Sequence, residues 1–363
     1  MTDRWESSYS QEIAQQPDLF RSFFYQEEGR IQECVKELKA REIKRVICTG
    51  CGDAYANAVF GAQCLNDLCG KELKAEAVEP FELLHWATPL PDHTAVIICS
   101  VKGRSKLVLE ALKAMKGGFL VAITNEQSSP VACQSDRVIE LHAGSWIGPR
   151  TKVYTLTSYA ILVLAALYCG KEEVRDKAIQ LGDQIDRILR KQIPWRKLTG
   201  ACTEQAGVTF VEYGRGYSTA YMGRAKMKEV LRWEANIYQI EEFAHTETVA
   251  PAPGRYTIFC CEKSPLLQRV IEVIRVAKEQ LSRDVLVICN QEVWEEMRQM
   301  GLECAHITIP DVWEAGEAIL QSVVIQILPF YIALRLGIDP DHPPLREMAR
   351  ETAFVAKTNE QKE

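Results

Sequence analysis

The chain has 363 residues, of which 47% are hydrophobic and 25% are charged, and its formal net charge is −6. This composition is typical of a folded globular protein and excludes a largely disordered chain. The length suffices for two domains, each with its own core. The acidic balance disfavours a nucleic-acid partner, because binding to phosphate backbones normally requires a basic surface.

The chain shows no pattern that predicts secretion, a membrane span or a metal site. Its first residues, MTDRWESSYSQEIAQQPDLF, lack the apolar core of a signal peptide. The longest apolar stretch found, Val153–Gly170, contains Thr, Ser and Tyr and favours a buried core helix. The 13 cysteines are expected to be mostly free, buried thiols in a cytoplasmic protein, and Cys48–Cys51 leaves a redox role open as an alternative. No second pair at zinc-ligand spacing accompanies these two cysteines.

An internal repeat predicts the fold. Val46–Gln63 and Val208–Ala225 both pass from an apolar run through a glycine turn into a helical pattern, and their alignment pairs Gly52 with Gly214. Two further apolar runs follow in each half, AVIICS and VAITN in the first and TIFCCE and LVICN in the second. Continuous apolar runs are typical of parallel strands buried on both faces. We therefore predict an α/β fold with two duplicated, doubly wound parallel-sheet domains, each ordered strand, helix, strand, helix, strand.

Composition along the chain suggests where these domains begin and end. We expect a helical arm over residues 1–40, a first domain over 41–170, a helical linker over 171–199, a second domain over 200–337 and a tail over 338–363. The last residues, KTNEQKE, are polar enough to fray.

Two candidate anion sites follow strands of the first half, where ligands of open α/β sheets bind. The turn Gly50–Tyr55, with Gly52 and Asp53, leads into a helix whose free N–H groups could bind an anion, or it is a tight turn without a ligand. The next turn combines hydroxyls, a glycine and cations, which suit a phosphate or a carboxylate, although a solvated basic loop is the alternative. Its candidate residues are Ser100, Lys102, Gly103, Arg104 and Ser105.

A third candidate site follows the glycine turn at Gly214 in the second half. Lys226 and Glu229 lie at i and i+3 of one helix, and a second helical stretch leads to His245. A carboxylate and an imidazole in one cleft would form an acid–base pair for moving protons at a sugar carbon. The alternative is that Glu229 is a surface charge and His245 a capped core residue.

On these residues the repeated unit resembles the sugar isomerase (SIS) domain, which has a flavodoxin-like fold. Two units in tandem resemble the isomerase half of glucosamine-6-phosphate synthase and, more closely in layout, the fructosamine-6-phosphate deglycases. The strongest match is KMKEVLRWEANIYQIEEFAH, residues 226–245. The resemblance implies that Glu229, with Lys226 beside it, is the base at the sugar C1/C2 position. It also implies that His245 handles the ring-oxygen or leaving-group proton, reaching in from the partner subunit of a homodimer.

The chain departs from the family at the positions expected to hold the sugar phosphate. Its loop reads Ser-Val-Lys-Gly-Arg-Ser instead of a hydroxyl-rich sequence, Asp53 stands in the first turn, and Arg350 stands where the synthases have a lysine. The added cations could hold a phosphate by charge, or a carboxylate. The substrate-binding set implied by the resemblance is Gly52, Asp53, Ser100, Lys102, Gly103, Arg104, Ser105, Thr151, Gly214 and Arg350.

The leading functional hypothesis is a deglycase that splits a fructosamine 6-phosphate into an aldose phosphate and an amine. The first alternative is an aldose–ketose or amino-sugar phosphate isomerase, and the second is a sugar-phosphate sensor without catalytic activity. None of these needs a metal or an organic cofactor, and the expected partner is a small sugar phosphate.

Overall fold

The computed structural model describes residues 7–85, 90–115, 117–146, 148–204, 206–249 and 253–341. Most of the predicted tail, including Arg350, therefore lies outside the described residues.

The described strands form two parallel five-stranded sheets. The first sheet contains β1 (Arg45–Thr49), β2 (Lys74–Ala77), β3 (Thr94–Cys99), β4 (Phe119–Thr124) and β5 (Arg137–Glu140). The second contains β6 (Val208–Glu212), β7 (Ala235–Gln239), β8 (Tyr256–Cys260), β9 (Asp284–Asn290) and β10 (Ala305–Ile309).

Helices precede, connect and follow these strands. The first eight are α1 (Ser8–Ala14), α2 (Gln16–Ala40), α3 (Asp53–Cys69), α4 (Pro80–His85), α5 (Lys106–Ala114), α6 (Pro130–Cys133), α7 (Lys152–Tyr168) and α8 (Glu172–Ile179). The others are α9 (Leu181–Arg190), α10 (Trp195–Leu198), α11 (Gly216–Lys226), α12 (Ile240–Thr246), α13 (Leu267–Arg275), α14 (Gln291–Gln299) and α15 (Glu314–Leu336). A 3-10 turn covers Gly70–Glu72, and π-helical turns cover Met227–Leu231 and Val276–Gln280.

Both sheets have the same topology, which confirms the predicted α/β class and the duplication. The first sheet has the order β2-β1-β3-β4-β5, and the second has the same order when each strand is matched to its counterpart, β7-β6-β8-β9-β10. This is the flavodoxin-like order, in which the chain changes direction across the sheet between the first and third strands. Ligands of such sheets bind at that point, so β1/β3 and β6/β8 are where sites are expected.

The prediction of three strands in each half was incomplete. The structure adds β2, β5, β7 and β10, which are short and only partly buried. They lack the continuous apolar run that marks a central strand, because part of each strand faces solvent. Strand β7 also lies between the helix that carries Lys226 and the helical stretch that holds His245, where no strand was predicted.

The chain divides into two compact units. The β1–β5 unit draws its described residues from 19–145 and 156–179, and the β6–β10 unit draws them from 7–18, 146–155 and 180–341. Helices α2 and α7 contribute residues to both units. The domain boundaries predicted from the sequence stay a prediction, although the helical character expected before residue 40 and over most of 171–199 is present.

Each unit has a core in which a helix covers alternate residues of the sheet. In the β1–β5 unit, Val96 and Ile98 of β3 pack with Val108 and Leu112 of α5. In the β6–β10 unit, residues of β8 and β9 pack in the same way against α13. Burial of one such side chain stabilises the fold by about 1.5–3 kcal/mol, so these clusters hold the strand ends in place.

Helix α15, rather than the Val153–Gly170 stretch, is the longest apolar element. By length and composition its residues 315–336 could cross a membrane, and most of this helix is buried inside the protein. A mostly buried core helix passes the same test, which is the interpretation that the packing favours. Residues 153–168 lie within α7 and form a buried helix, as predicted.

One disulfide joins two of the cysteines, most of which were expected to be free. Cys69, at the end of α3, and Cys169, directly after α7, are bonded, with 5.4 Å between their Cα atoms. The other cysteines are free, and most are buried, as expected. The sequence could not show this pair, because the two residues are 100 positions apart and share no spacing motif.

We expect the Cys69–Cys169 bond to stabilise the β1–β5 unit, because it closes a loop of 100 residues in the unfolded chain. Cys69→Ser should lower the free energy of unfolding by about 2–5 kcal/mol under oxidising conditions. Cys133→Ser, at an exposed free cysteine, is the control and should change little. Thermal unfolding with and without reductant measures the effect, and equal stability of the three proteins in both conditions would contradict it.

Candidate active site

The two turns predicted as anion sites lie at the switch point between β1 and β3. Helix α3 begins after Gly52, whose φ of +62° is left-handed, and Asp53 occupies its first turn. Gly50 is required by packing, because a Cβ there would lie 2.6 Å from the carbonyl oxygen of Ala54. A carboxylate in the first turn complements the positive end of the helix, so Asp53 competes with any anion bound there.

The loop Ser100–Ser105 follows β3 and leads into α5. Ser100 is buried, while Lys102 and Arg104 are exposed. Gly103 has a φ of +57°, and a Cβ on it would collide with the side chain of Ser129. Ser105 directly precedes α5, so the free N–H groups of the first turn of that helix open beside the two cations.

The two turns are in contact within the β1–β5 unit. The Cys51 sulfur lies 3.7 Å from the Ser105 hydroxyl. Arg104 is partly neutralised, because its Nη2 lies 3.2 Å from the Glu126 Oε2. The seven predicted residues of these turns therefore share one edge of the sheet, with the cations on the α5 side.

The alternative redox role of Cys48 and Cys51 is not favoured by the structure. Both thiols are free. Burial raises the pKa of Cys51, which the Ser105 hydroxyl partly offsets, and burial raises the pKa of Cys48 well above its usual value. A raised pKa keeps a thiol protonated at neutral pH, which is opposite to what a reactive cysteine needs.

The acid–base candidates lie in the β6–β10 unit, where α11 gives way to a π-helical turn. Lys226 ends α11 and Glu229 lies in the turn Met227–Leu231. The Lys226 ammonium donates to the Glu229 Oε2 at 2.7 Å. The Lys226 side chain is completely buried, whereas the Glu229 side chain is 31% exposed. The pair thus joins a buried cation to a carboxylate that solvent and ligands can reach.

The structure also shows a buried carboxyl group that the sequence analysis missed. Glu12 of α1 is 3% exposed, and its Oε2 accepts from the backbone N–H of Thr151 at 3.3 Å and from the Thr151 hydroxyl at 3.4 Å. Burial raises the pKa of Glu12 to about 7, although Thr151 and the charges of Lys152 and Lys226 lower it. The Lys152 ammonium donates to Gln15 at 2.8 Å, and burial lowers its pKa. Thr151, which the resemblance implied as a substrate-binding residue, therefore donates its hydrogen bonds to Glu12.

His245 lies on the short helix α12, and its side chain is 80% exposed. Within the described part of the chain, its ionic contact is with Glu241 at 3.7 Å and not with Glu229. The alternative of a capped core histidine is therefore wrong. Within a single chain, the imidazole of His245 therefore does not pair with the carboxylate of Glu229.

The switch point of the second sheet carries two carboxyl groups, those of Glu212 and Glu262. Gly214 has a φ of +57°, and a Cβ on it would collide with the Glu262 carboxylate. Glu212, at the end of β6, is completely buried, and its burial raises its pKa well above the usual value. The Arg215 Nη2 lies 3.5 Å from Glu262. The Glu262 carboxylate disfavours an anion at this switch point, which makes the turns of the first sheet the better candidates for an anion site.

Sequence reasoning missed Glu12, Lys152, Glu212 and Glu262, and placed the other described candidates on the elements where they lie. Glu12 carries no motif signal, because its partner Thr151 is 139 positions away. Glu212 could have been found as a charged residue that ends an otherwise apolar strand. Arg350 lies outside the described residues.

Comparison with known proteins agrees with this fold. Residues 39–167 match the family model of the SIS domain, a range that holds all of β1–β5. The chain contains a SIS domain. The second sheet repeats the topology of that SIS domain strand for strand.

Relatives and solved structures extend the likeness beyond the SIS domain. The chain is 24% identical over 307 residues to glutamine–fructose-6-phosphate aminotransferase (isomerizing) of Methanothermobacter thermautotrophicus, covering 83% of this chain and 50% of that protein. It thus spans about half the length of the curated relatives it matches. The C-terminal domain of glucosamine-fructose-6-phosphate aminotransferase from Francisella tularensis matches with a TM-score of 0.80 at 16% identity, over 94% of this chain and 99% of that one. Tagatose-6-phosphate ketose/aldose isomerase from Escherichia coli matches with a TM-score of 0.77 at 16% identity, over 94% and 96%. These structural matches show the fold.

We expect Gly103→Ala to be more damaging than Gly70→Ala, although both glycines have a φ of +57°. A left-handed φ costs an alanine about 1–2 kcal/mol at either position. At Gly70 nothing lies within 4 Å of the new Cβ, whereas at Gly103 the new Cβ displaces Ser129, which caps α6. Loss of such a cap costs about 1 kcal/mol more. Urea unfolding of the two variants measures the difference, and equal destabilisation would contradict the collision.

Proposed function

We propose that this chain is an enzyme of the phosphosugar isomerase type, which moves a proton between C1 and C2 of a sugar phosphate. The observation that supports this most is the contact of 2.7 Å between the buried Lys226 ammonium and the accessible Glu229 carboxylate. The names of the relatives, which act on fructose 6-phosphate and tagatose 6-phosphate, point to the same class of substrate.

Glu229 has the properties that a base at a sugar carbon needs. Its carboxylate is reachable, and the π-helical turn displaces it from the regular α-helical spacing, a feature that is frequent at functional sites. Lys226 fixes the carboxylate through a charge-assisted hydrogen bond. The side chain is therefore held in one orientation, which favours proton transfer to and from one position of a substrate.

Within this class we propose a deglycase acting on a fructosamine 6-phosphate. Glu229 removes a proton from C1 of the 1-amino-1-deoxyketose, and an enolamine forms as the C2 carbonyl becomes a hydroxyl. Return of the proton to C2 gives an imine at C1. Water adds to the imine carbon, the C–N bond breaks, and an aldose phosphate and an amine leave.

His245 is proposed to act on a neighbouring subunit. Its side chain is 80% exposed and makes its ionic contact on its own helix, so it is available to a second copy of the chain. In a homodimer it would deliver or accept the proton at the ring oxygen. The homodimer and the cytoplasmic location are parts of this proposal.

The substrate phosphate is proposed to bind the loop Ser100–Ser105. Two hydroxyls, the exposed cations Lys102 and Arg104, and the free N–H groups at the start of α5 all lie there. Charge-assisted hydrogen bonds from cations can replace the neutral hydroxyl contacts that the resemblance to the family leads one to expect.

The second candidate is a ketose–aldose isomerase that breaks no C–N bond. The likeness to the tagatose-6-phosphate isomerase favours it, and the same proton transfer by Glu229 suffices. Release of a free amine separates the deglycase from this candidate.

We expect Glu229→Gln to abolish turnover and to keep ligand binding, because the amide retains the shape of the side chain but cannot take a proton. The assay measures amine and aldose-phosphate release from a panel of 6-phosphorylated fructosamines, and interconversion of simple ketose phosphates. A loss of at least a hundredfold in kcat is expected from removal of a general base.

Glu234→Gln is the matched control, since Glu234 is exposed, follows the same turn and pairs with Lys228 at 2.8 Å. It should keep its kcat within twofold. Full activity of Glu229→Gln would overturn the proposal. Ligand-induced thermal stabilisation without turnover of any substrate by the wild type would favour a sensor instead.

We expect Lys102→Gln and Arg104→Gln each to weaken the binding of inorganic phosphate about tenfold, because each removes one charge-assisted contact. Glu126→Gln should strengthen it, since Glu126 holds Arg104 at 3.2 Å. Lys113→Gln, the same change at the far end of α5, is the control. Calorimetric titration with phosphate measures all four, and equal affinities would exclude this loop as the phosphate site.

A further inference from the structure

We propose that the Cys69–Cys169 disulfide is a reversible redox site, at which a small zwitterionic thiol enters a surface cavity and exchanges with the bond. The two cysteines and the cavity all belong to the β1–β5 unit. The proposal is independent of the function proposed for Glu229, since it concerns a different part of the chain.

The other cysteines make this bond an exception within the chain. All 13 cysteines lie in the described part of the sequence, and the eleven outside this pair are free. Cys51 and Cys133 are both free and exposed. Exposed free thiols are typical of surroundings that keep thiols reduced, where a disulfide is usually transient or redox-sensing. The pair therefore fits a redox site better than a permanent crosslink.

A cavity at the protein surface gives access to the bond. It has a volume of about 330 Å³, and Cys69, Cys169 and Tyr168 are among the residues that line it. This volume is within the range of pockets that bind small ligands. Cys169 is half-buried, whereas Cys69 is 9% exposed. A thiolate that enters the cavity thus reaches the Cys169 sulfur more readily than the Cys69 sulfur.

The charges around the cavity indicate which kind of thiol fits. Lys39, Lys44, Glu42 and Glu72 line it, and all four are exposed. Two ammonium and two carboxylate groups suit a ligand that carries both signs of charge, as a thiol of the amino-acid or peptide type does. The ammonium groups also favour the attacking thiolate over the neutral thiol.

The exchange needs only the small thiol as reductant. Its thiolate attacks the Cys169 sulfur, the bond between the two protein sulfurs breaks, and Cys69 leaves as a thiolate that takes up a proton. A mixed disulfide remains on Cys169. A second molecule of the thiol attacks the small-molecule sulfur of that mixed disulfide, so that Cys169 leaves as a thiolate and is protonated. Two small thiols are oxidised to their disulfide, and the protein disulfide is reduced to two thiols.

Contacts beside the two cysteines secure the helix ends without the disulfide. The Asn66 side chain near the end of α3 exchanges two hydrogen bonds of 2.8 Å with the backbone of Ala75 in β2. At the end of α7, the Tyr168 hydroxyl donates to the carbonyl oxygen of Ile43 at 2.9 Å. Opening the bond therefore leaves the two thiols near each other, and the bond can form again.

Reduction of the folded wild-type protein by glutathione tests the proposal. After incubation without denaturant, the thiols are alkylated and peptide mass spectrometry identifies the modified cysteines. We expect Cys69 and Cys169 to become alkylated while the circular dichroism stays native, and glutathione disulfide to restore the bond. Reduction that occurs only after addition of urea would overturn the proposal, because it would show a permanent crosslink.

Two variants test attack through the cavity. Cys69→Ser leaves the half-buried Cys169 as a free thiol, and Cys169→Ser leaves the buried Cys69. With glutathione disulfide, we expect the mixed disulfide to form at least about tenfold faster on Cys169 than on Cys69, since only an accessible thiolate reacts. Exposed Cys133 is the internal reference for reaction outside the cavity. Equal rates at Cys69 and Cys169 would overturn the proposed route.

A comparison of two thiols tests the zwitterionic class. The reduction rates with glutathione and with uncharged 2-mercaptoethanol are each divided by the rate of the same thiol with a small-molecule disulfide. We expect the corrected rate to be about two- to fivefold higher for glutathione, as surface charge pairs allow. Replacement of both Lys39 and Lys44 by Gln should remove this preference, and Lys113→Gln, on α5, should keep it. Equal corrected rates in the wild type would overturn the assignment of a zwitterionic thiol.

Discussion

The ammonium group of Lys226 is completely buried, and a charge in that position requires carboxylates around it. This requirement connects parts of the chain that are far apart in sequence. It holds Glu229 in the π-helical turn after α11. Burial raises the pKa of Glu12 on the N-terminal helix, and Lys226 is one of the charges that lower it. Thr151, just before α7, then becomes the partner of Glu12.

The duplicated topology explains why the two halves have different electrostatics. Each sheet places its switch point between its first and third strands, so each half offers the same kind of edge. At the first edge the loop after β3 carries Lys102 and Arg104, which suit an anion. At the second edge Glu212 ends β6 and Glu262 follows β8. The proposed acid–base pair, Lys226 and Glu229, lies elsewhere, at and after the end of α11. The two edges are thus alike in topology and differ in their charged residues.

Much of the fold and part of the candidate site could be predicted from the sequence. The central strands were predictable because burial on both faces requires continuous apolar runs, and the turns at Gly52, Gly103 and Gly214 were predictable because left-handed φ values favour glycine. The edge strands, such as β7, were missed because one side faces solvent and their patterns are mixed. Lys226 and Glu229 were found because three positions along a helix place two side chains together.

What the sequence by itself determined is therefore local: apolar runs, turns and pairs at helical spacing, each of which depends on neighbours in the chain. Only the tertiary structure decided the contacts between distant segments, because side chains such as Glu12 and Thr151 meet only after the helices have packed. It also decided the Cys69–Cys169 pairing, since two cysteines 100 positions apart carry no mark of their partner. Finally, it decided the protonation behaviour of Glu12, because desolvation by the surrounding elements raises a pKa, and no residue type or spacing reports that burial.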